Sequence, residues 1–256
     1  MKKQISILGC GWLGEPLAIY LNQLGYSIKG STTSDNKLQK LEDLQIIPFL
    51  ISLESLPHNI MKFLNSEILV IALPSKNCEG FRNLISQIVK STIKKVIFIS
   101  STSVYSSQNQ LVTEETHLES SVLAEIEQLF TNNIEFKTTI IRFAGLFGYN
   151  RKPGDFFKNK KIILNPEGFV NMIHRDDSIE IISQIIKKEI WGEIFNGCTD
   201  THPSRREYYI KASLTLGHDF PVFEEAATSK YKIVCNKKLK KMLNFKFKYS
   251  DLLGEF

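Results

Sequence analysis

A glycine-rich turn near the start of the chain constrains the fold more than any other feature of the sequence. An apolar run, Ile5–Leu8, leads directly into this turn, and a helical pattern of apolar residues follows it. The turn reads Gly9-Cys10-Gly11-Trp12-Leu13-Gly14. We predict a buried strand, a tight turn at Gly9 and a helix that begins close to Gly14. Because Gly11 has no Cβ, the backbone can approach a phosphate group, which the N-terminus of the helix would then face.

Further apolar runs alternate with helical patterns along the first two-thirds of the chain. The runs are Ile46–Ile51, Ile68–Leu73, Val96–Ile99 and Thr138–Phe143, and a shorter strand is expected at Tyr26–Lys29. Runs that are apolar on both faces are typical of strands in a parallel sheet covered by helices on both sides. The alternation therefore predicts an α/β fold with a doubly wound parallel sheet of the Rossmann type.

The turn and its setting predict that the chain binds a dinucleotide. A plain strand-to-helix turn is the alternative, but glycines at this spacing allow the close backbone approach that a pyrophosphate needs. The second predicted strand ends in Ser31, Thr32, Thr33 and Ser34, with no acid where an Asp or Glu would bind the ribose of NAD. This end favours NADP as the cofactor. NAD stays the alternative, and in that case the Asp35 carboxylate would bind the ribose hydroxyls. If the cofactor is NADP, we expect Asp35 to be the N-cap of the next helix.

Two later segments have the pattern of a helix capping box. Asp177 and Glu180 form one pair, and Ser204 and Glu207 form the other. The first predicted helix has an apolar face of Ile179, Ile182, Ile185 and Ile186. We therefore predict helices that begin at these two positions.

The composition excludes several classes of protein. The 256 residues, 43% of them hydrophobic, are enough to form a sizeable core, which excludes a disordered chain. The four cysteines lie far apart without a C-x-x-C pair, which argues against a disulfide framework or a zinc site, and we predict no bound metal. No apolar run approaches the roughly 18–20 residues that span a membrane. We expect a soluble, cytoplasmic protein with no membrane partner.

The chain carries a modest positive charge of +5 at pH 7. Eight lysines and no acid lie within residues 230–248. This segment forms either a solvated face or a basic rim that attracts an anionic ligand. The sequence has no signature of a nucleic-acid-binding fold, so we expect no nucleic-acid partner.

A family resemblance rests on motifs that recur in order along the chain. The strand Val96–Ile99 continues into Ser100-Ser101-Thr102-Ser103-Val104-Tyr105. Together with the glycine turn, this segment resembles the extended short-chain dehydrogenase/reductase family, which includes nucleotide-sugar epimerases and dehydratases. Further blocks that resemble the family are Thr113–Glu115, Ile141–Gly148, Val170–Asp177 and Glu193–Gly197. The chain is most similar to atypical members that carry G-x-G-W-L-G and a shortened substrate lobe.

The resemblance implies an NAD(P)-binding Rossmann domain at residues 1–145 and 170–198, with a small C-terminal substrate-binding lobe at 146–169 and 199–256. The candidate cofactor-binding residues are Gly9, Gly11, Trp12, Leu13, Gly14, Ser31, Thr32, Thr33, Ser34, Ala72, Leu73, Pro74 and Ser100. In open sheets of this kind, ligands bind at the carboxyl ends of the strands.

The catalytic pattern of the family is incomplete in this chain. In the family, a Ser or Thr three residues before the Val-Tyr pair hydrogen-bonds the substrate oxygen, and Ser101 has this position. A Tyr-x-x-x-Lys pair should follow as the acid/base, but nowhere in the chain does a tyrosine have a lysine four residues on. Tyr105 and His117 are the candidates that could replace it. The alternatives are a structural tyrosine and a surface-loop histidine.

Several polar residues are candidates for binding the substrate. They are Arg142, Arg151, Asn171, Arg205 and Arg206. Arginines match the geometry of phosphate groups, so a nucleotide sugar is a natural ligand for them. For Arg205 and Arg206, a solvated helix end is the alternative.

Two hypotheses for the function follow. The first is an NAD(P)-dependent oxidoreductase or epimerase that acts on a small-molecule substrate, a carbonyl or a sugar-nucleotide-like compound, with Ser101 on the reacting oxygen. The second is a non-catalytic sensor or scaffold that binds NADP(H), and the missing Tyr-x-x-x-Lys pair favours it. The sequence leaves the oligomeric state open.

Overall fold

The structure is a computed structural model that describes residues 3–157, 162–225 and 230–254. Its strands are β1 (Gln4–Leu8), β2 (Ser27–Thr32), β3 (Ile47–Leu50), β4 (Ile68–Ile71), β5 (Lys95–Ser101), β6 (Gln110–Val112), β7 (Lys137–Phe143), β8 (Gly145–Phe147), β9 (Met172–His174), β10 (Ile194–Gly197) and β11 (Lys232–Val234). Its α-helices are α1 (Gly14–Gln23), α2 (Leu38–Asp43), α3 (Ile60–Phe63), α4 (Cys78–Val89), α5 (Val122–Thr131), α6 (Arg175–Lys187), α7 (Arg205–Thr215) and α8 (Lys237–Leu243). Short 3-10 turns lie at Asp35–Lys37, Thr102–Val104 and Pro153–Asp155.

A seven-stranded parallel sheet organises the chain. Its strand order is β10-β7-β5-β4-β1-β2-β3, so the order reverses beside β1. Ile5 of β1 lies between Ile28 of β2 and Ile68 of β4, in register with both. Each apolar run identified in the sequence lies in a strand of this sheet, which confirms the predicted doubly wound α/β fold.

The edge strand β3 departs from one expectation. The run Ile46–Ile51 suggested a strand buried on both faces, and this is wrong for β3. Ile47 is 45% exposed and Leu50 is 43% exposed. The reason is position: β3 is the last strand in the order and pairs only with β2. An apolar pattern identifies a strand but not its place in the sheet.

By contact density the chain divides into two compact units. The first consists of Met1–Ser100, Ser120–Ile141 and Ile182–Ile194, and the second of Ser101–Glu119, Arg142–Ile181 and Phe195–Phe256. The domain limits derived from the sequence stay a prediction. Within the part of the chain that the structure describes, no helix has the length and apolar character needed to cross a membrane.

Each unit has its own apolar core. In the first, the rings of Phe98 and Phe130 stack with their centroids 5.0 Å apart, and Phe81 packs edge-on against both. In the second, the small parallel pairs β8–β9 and β6–β11 accompany a cluster of buried residues. The cluster is Phe147, Val170, Met172, Tyr208 and Leu252.

One of the two predicted capping boxes is confirmed and the other is wrong. Ser204 accepts a hydrogen bond from the Glu207 N–H, and the Glu207 carboxylate accepts one from the Ser204 N–H. Helix α6, however, begins at Arg175, so Asp177 lies inside its first turn. The Asp177 carboxylate instead accepts the backbone N–H groups of Lys248, at 2.9 Å, and Tyr249, at 3.1 Å.

The expected cap at Asp35 is also wrong. Asp35 is the first residue of a 3-10 turn whose N-cap position is Ser34, and α2 begins only at Leu38. The Asp35 side chain is exposed. A short turn separates β2 from the helix, and the sequence pattern did not predict it.

Candidate functional site

The glycine turn packs tightly at two of its three glycines and is open at the third. Gly9 has a φ of +102°, and a Cβ there would lie 2.9 Å from the carbonyl oxygen of Ala72. A Cβ on Gly14 would lie 2.1 Å from the carbonyl oxygen of Gly9. A Cβ on Gly11 would meet no atom within 4 Å. Gly9 and Gly14 are therefore required by the packing of the turn, whereas Gly11 is not.

The carboxyl ends of β2 and β4 lie against this turn. The Gly9 N–H donates to Ser31 Oγ at 2.9 Å, and the Cys10 N–H donates to the Ser31 carbonyl at 2.7 Å. After β4, the Ala72 N–H donates to the Leu8 carbonyl at 2.8 Å. Leu73 lies beside Gly9, because a Cβ added to Gly9 would lie 3.1 Å from the Cβ of Leu73. The structure thus brings together the turn, Ser31, Ala72 and Leu73.

The remaining cofactor candidates of β2 differ in exposure. Thr32 is buried, and its hydroxyl oxygen accepts the Ser34 N–H at 3.2 Å. Thr33 is exposed and Ser34 is half-buried. Ser31 and Thr32 therefore use their hydroxyl oxygens to shape the backbone, while Thr33 lies toward solvent with the exposed turn Asp35–Lys37 that follows it.

Helix α1 begins at this turn without a side-chain cap. Its N-cap position is Leu13, which offers no hydrogen-bonding side chain, and Glu15 is the acid of the first turn. Burial raises the pKa of the nearby Cys10 thiol to about 12. That thiol therefore stays protonated near neutral pH and does not act as a nucleophile.

At the end of β5, Ser100 and Ser101 have different environments. Ser100 is buried and donates to the equally buried Glu127 carboxylate of α5 at 2.5 Å. Ser101 is half-buried and caps the 3-10 turn Thr102–Val104, because its Oγ accepts the Ser103 N–H at 3.1 Å. A serine hydroxyl that accepts in this way still has its own proton to donate.

Tyr105 belongs to a buried polar network in the second unit. Its side chain is only 1% exposed. The hydroxyl donates to Asn196 Oδ1 at 2.8 Å and accepts from Arg142 Nη1 at 2.7 Å. The Glu114 carboxylate accepts the Asn196 N–H at 2.8 Å, and its carbonyl accepts from Arg142 at 3.4 Å. We refer to Tyr105, Arg142, Asn196 and Glu114 as the buried network.

The electrostatics of this network oppose ionisation of the tyrosine. Burial raises the pKa of the Tyr105 hydroxyl above its ordinary value, although the Arg142 guanidinium lowers it. Lys232 donates from its Nζ to the Tyr105 carbonyl oxygen. Burial lowers the pKa of the Lys232 ammonium, and the Glu119 carboxylate partly offsets this. The geometry of Tyr105 is that of a structural hydroxyl, with donor and acceptor both used.

The other candidates of the second unit are not members of the buried network. Two of them are exposed, and Asn171 binds the backbone of β11. His117 is exposed in the loop before α5, and Arg151 is exposed in a tight hairpin that pairs it with Gly148. The Asn171 side chain binds β11 at two points: it donates to the Lys232 carbonyl and accepts the Val234 N–H, both at 2.9 Å. Among the described residues, no cluster of three His, Cys, Asp or Glu side chains has the arrangement of a metal site.

Arg205 and Arg206, at the start of α7, have partners within the protein. Arg205 donates to the Leu164 carbonyl at 3.1 Å. Arg206 forms ion pairs with Glu167 and Glu225, each at 2.7 Å. These contacts compensate for two cations at a helix N-terminus. Their role as substrate ligands stays a prediction.

A known protein shows the family of the chain. Protein YeeZ of Escherichia coli strain K12 is 30% identical over an alignment of 269 residues that covers 98% of each chain. The chain belongs to the YeeZ family. No protein-family model matches it.

Solved structures share the fold of this YeeZ-family chain. A functionally unknown conserved protein from Silicibacter pomeroyi has a TM-score of 0.84 at 20% identity, covering 99% of this chain and 96% of that one. UDP-glucuronic acid 4-epimerase from Bacillus cereus, solved in complex with NAD, has a TM-score of 0.78 at 16% identity, covering 98% and 95%. These neighbours confirm the fold that the resemblance implied.

The sequence motifs assigned no contact to three residues that the structure shows beside the candidates, although Asn196 lies within a block that resembles the family. Asn196 and Lys232 contact Tyr105 across 91 and 127 positions of sequence, so no local pattern could reveal them. Glu127 lies on the apolar side of α5, and a signal for it existed. It is an acid at a position where the helical period predicts burial, and such an acid needs a partner.

Proposed function

We propose that the chain is an NAD(P)-dependent oxidoreductase or epimerase of the extended short-chain dehydrogenase/reductase type, acting on a carbonyl or sugar-nucleotide-like substrate. The observation that carries the proposal is the open backbone at Gly11. The packing of the turn explains Gly9 and Gly14, but no described residue occupies the space that a Cβ on Gly11 would fill. A glycine is needed there if a pyrophosphate approaches the backbone.

The start of α1 fits a dinucleotide for a second reason. At the start of α1 no side chain caps the backbone, and the Glu15 N–H donates to the Gly11 carbonyl at 3.0 Å. Such an end attracts anions through the positive pole of the helix dipole. The turn with Trp12 and Leu13 would hold the pyrophosphate, and Ala72, Leu73 and Pro74 would flank it. When bound, the dinucleotide supplies a hydride donor or acceptor.

The end of β2 would select between the two dinucleotides. Ser31 holds the turn in place through Gly9, so Thr33 and Ser34 are the residues left to contact the ribose. The exposed turn that follows carries both an acid, Asp35, and a base, Lys37. Lys37 would favour the 2′-phosphate of NADP, and Asp35 would favour the free hydroxyl of NAD. The hydroxyls at Thr33 and Ser34 support NADP.

Ser101 would act on the substrate oxygen. Its Oγ accepts from the backbone of the turn that it caps, so its O–H proton is directed away from that turn. A donor held in this way polarises a carbonyl as negative charge develops on the oxygen. Arg142 and Asn171, which the sequence suggested as substrate ligands, would contribute by holding the surrounding backbone.

A second candidate function is a sensor or scaffold that binds the dinucleotide without turnover. The environment of Tyr105 favours it. This tyrosine is the nearest to Ser101 in the chain, and its hydroxyl is already used by Asn196 and Arg142. With no Tyr-x-x-x-Lys pair in the sequence, the acid/base of the family has no evident replacement.

Thermal unfolding in the presence of NADPH or NADH tests dinucleotide binding. A ligand at about 100 times its Kd adds about 2.7 kcal/mol of stability, which raises the Tm of a domain this size by roughly 5–10 °C. Gly11→Ala should keep the Tm of the parent but lose the ligand-induced rise. Gln23→Ala, at an exposed position near the other end of α1, is the control and should keep both the Tm and the rise. A chain that shows no rise with either nucleotide is not a dinucleotide-binding protein.

Ser101→Ala separates the enzyme from the sensor. Two readouts are needed: oxidation of the better-binding reduced nucleotide by a panel of carbonyl compounds, and interconversion of nucleotide sugars, UDP-glucuronic acid among them, followed by chromatography in the presence of the oxidised nucleotide. The second is required because an epimerase returns its cofactor to the starting state and causes no net oxidation. An enzyme should lose about 100-fold in kcat, the effect of removing one well-placed donor, while its nucleotide affinity is unchanged. Turnover that is equal in parent and variant would remove Ser101 from the mechanism. No turnover in the parent would favour the sensor.

A further inference from the structure

The second unit contains a cavity that the proposed function does not use. Its volume is about 450 Å³, within the range of about 300–1,000 Å³ that is typical of small-molecule sites. Neither the glycine turn nor Ser101 lines it. The residues around it are Phe147, Gly148, Tyr149, Lys152, Pro153, Gly154, His174, Ala212, Thr215, Leu216, Tyr249 and Gly254.

Aromatic rings form one side of this cavity, and their positions are fixed by contacts. The His174 ring lies 3.6 Å from the Tyr249 ring and 5.2 Å from the Phe147 ring, measured between centroids. The hydroxyls of Tyr149 and Tyr249 both donate to the Asp176 carboxylate, at 2.9 and 3.4 Å. The wall is therefore a preformed surface of flat rings.

His174 presents a hydrogen-bond donor in this wall. The residue is 6% exposed, and burial lowers its pKa, so the ring is neutral near pH 7. Its Nδ1 accepts the Asp176 N–H at 3.2 Å, which places the single ring proton on Nε2. Nε2 would lie 2.3 Å from a Cβ added to Gly148, another cavity residue. Within residues 3–157, 162–225 and 230–254, no acceptor is found for the Nε2–H.

An exposed cation and closely packed backbone also line the cavity. Lys152 is exposed, and its ammonium group has no hydrogen bond or ion pair to any of the residues that the structure describes. Gly154 lies so close to α7 that a Cβ would be 2.3 Å from the Ala212 carbonyl oxygen. The cavity thus combines a wall of flat rings, a ring N–H donor of His174 and an exposed cation, and neither polar group has a partner among the described residues.

We propose that this cavity binds a planar aromatic anion of the aryl carboxylate class. The ring of the ligand packs against Tyr249 and Phe147, because flat surfaces of this kind gain most from stacked or edge-on aromatic contacts. Its carboxylate accepts from the His174 Nε2–H and neutralises Lys152, which satisfies both unpaired groups. All but one of the cavity residues lie in the lobe that the resemblance assigns to substrate binding. The aryl carboxylate nevertheless needs neither a dinucleotide nor Ser101, so its binding can be tested apart from the proposed function.

Three small probes test the class of ligand. Sodium benzoate has the ring and the charge, benzamide has the ring alone, and cyclohexanecarboxylate has the charge without the flat ring. The readout is the ¹⁵N chemical shift of the His174 side chain in the full chain, titrated at pH 7.5. Benzoate should move the Nε2 resonance with saturation, and it should bind at least five-fold more tightly than either of the other two. Equal affinities, or no movement of this resonance, would overturn the proposal.

Variants separate the two polar contacts. Lys152→Met should weaken benzoate at least five-fold and leave benzamide unchanged, and its exposed position means that the chain folds. His174→Asn keeps an acceptor for the Asp176 N–H but removes the Nε2–H donor, so it should weaken benzoate and benzamide alike. Lys241→Met, which removes an exposed lysine of α8, is the matched control and should bind as the parent does. Loss of binding in this control would show that only net charge matters.

A nucleotide provides the last arm of the test. Uridine monophosphate also combines a flat ring with an anion, but its charge lies on a ribose phosphate instead of on the ring. The proposal requires that it bind more weakly than benzoate. Tighter binding, lost in Lys152→Met, would assign the cavity to a nucleotide and overturn the aryl carboxylate class.

Discussion

The glycines of the turn in the first unit pack closely against backbone atoms, whereas the buried network of the second unit is joined by side chains. In the turn, the close contacts of Gly9 and Gly14 are with carbonyl oxygens. In the network, the hydroxyl of Tyr105 joins Arg142 and Asn196 through side-chain atoms. The first region should therefore be sensitive to a single added Cβ, and the second to the loss of a single polar atom.

Gly14→Ala should have the largest effect on stability. The new Cβ would lie 2.1 Å from the Gly9 carbonyl oxygen, and backbone cannot move aside as a flexible side chain can. Overpacking of this kind costs about 1–3 kcal/mol and occasionally more, and we expect about 3 kcal/mol here. Urea denaturation gives the free energy of unfolding.

Gly11→Ala is the matched control for this prediction. Its Cβ meets no atom within 4 Å, so its free energy of unfolding should stay within about 0.5 kcal/mol of the parent. If both variants lost similar stability, the difference between packed and open glycines in the turn would be refuted.

Tyr105→Phe should have the next largest effect, in the other unit. The substitution keeps the ring but removes the hydroxyl that donates to Asn196 Oδ1, which leaves this buried acceptor without that donor. An unsatisfied buried group costs about 1–3 kcal/mol, and we expect a loss of about 2 kcal/mol in the same denaturation experiment. Tyr26→Phe, at a half-buried tyrosine of the first unit, should change stability by less than about 0.5 kcal/mol. A stable Tyr105→Phe variant would mean that water or a rearranged Arg142 replaces the hydroxyl.

The same difference explains how far the sequence could predict each region. The glycine turn was predicted because its cause is local: strand, glycines and helix are consecutive residues. At Asp177 the local pattern gave a wrong prediction. The segment Asp-Ser-Ile-Glu matches a capping box, but the Asp177 carboxylate accepts the backbone N–H groups of Lys248 and Tyr249, which lie 71 and 72 residues away in the sequence. The contact between Tyr105 and Asn196 joins residues 91 positions apart, and only the fold brings them together.

Ser31→Ala tests a side-chain contact that holds the glycine turn. Ser31 is 1% exposed, and its Oγ is the acceptor of the Gly9 N–H. Alanine would leave that N–H without its partner, at a cost of about 1 kcal/mol, and should also weaken binding of a dinucleotide by misplacing the turn. Ser27→Ala, at a half-buried position on the same strand, is the control and should have neither effect. If Ser31→Ala matched the parent in both measurements, the turn would be held by backbone alone.

Acid should loosen the second unit before the first, and this is the smallest effect that we expect near neutral pH. Burial lowers the pKa of both His174 and His202, and both lie in the second unit. A histidine in the unfolded chain takes up a proton near pH 6.5, while these two resist protonation in the folded protein. Stability is therefore lost progressively as the pH falls below about 6.5, because the unfolded state then binds more protons than the folded state.

Hydrogen exchange at pH 7.5 and pH 5.5, corrected for intrinsic exchange rates, would locate this loss. Protection should fall more in β8, β9 and the start of α6 than in β1 and β4. Asp177, whose pKa burial raises, acts in the opposite direction, but only at the lower pH where carboxylates titrate. His174→Asn should reduce the difference between the two units, because the amide oxygen keeps the Asp176 N–H contact without titrating. Equal losses of protection in both units would mean that these histidines do not control the acid response.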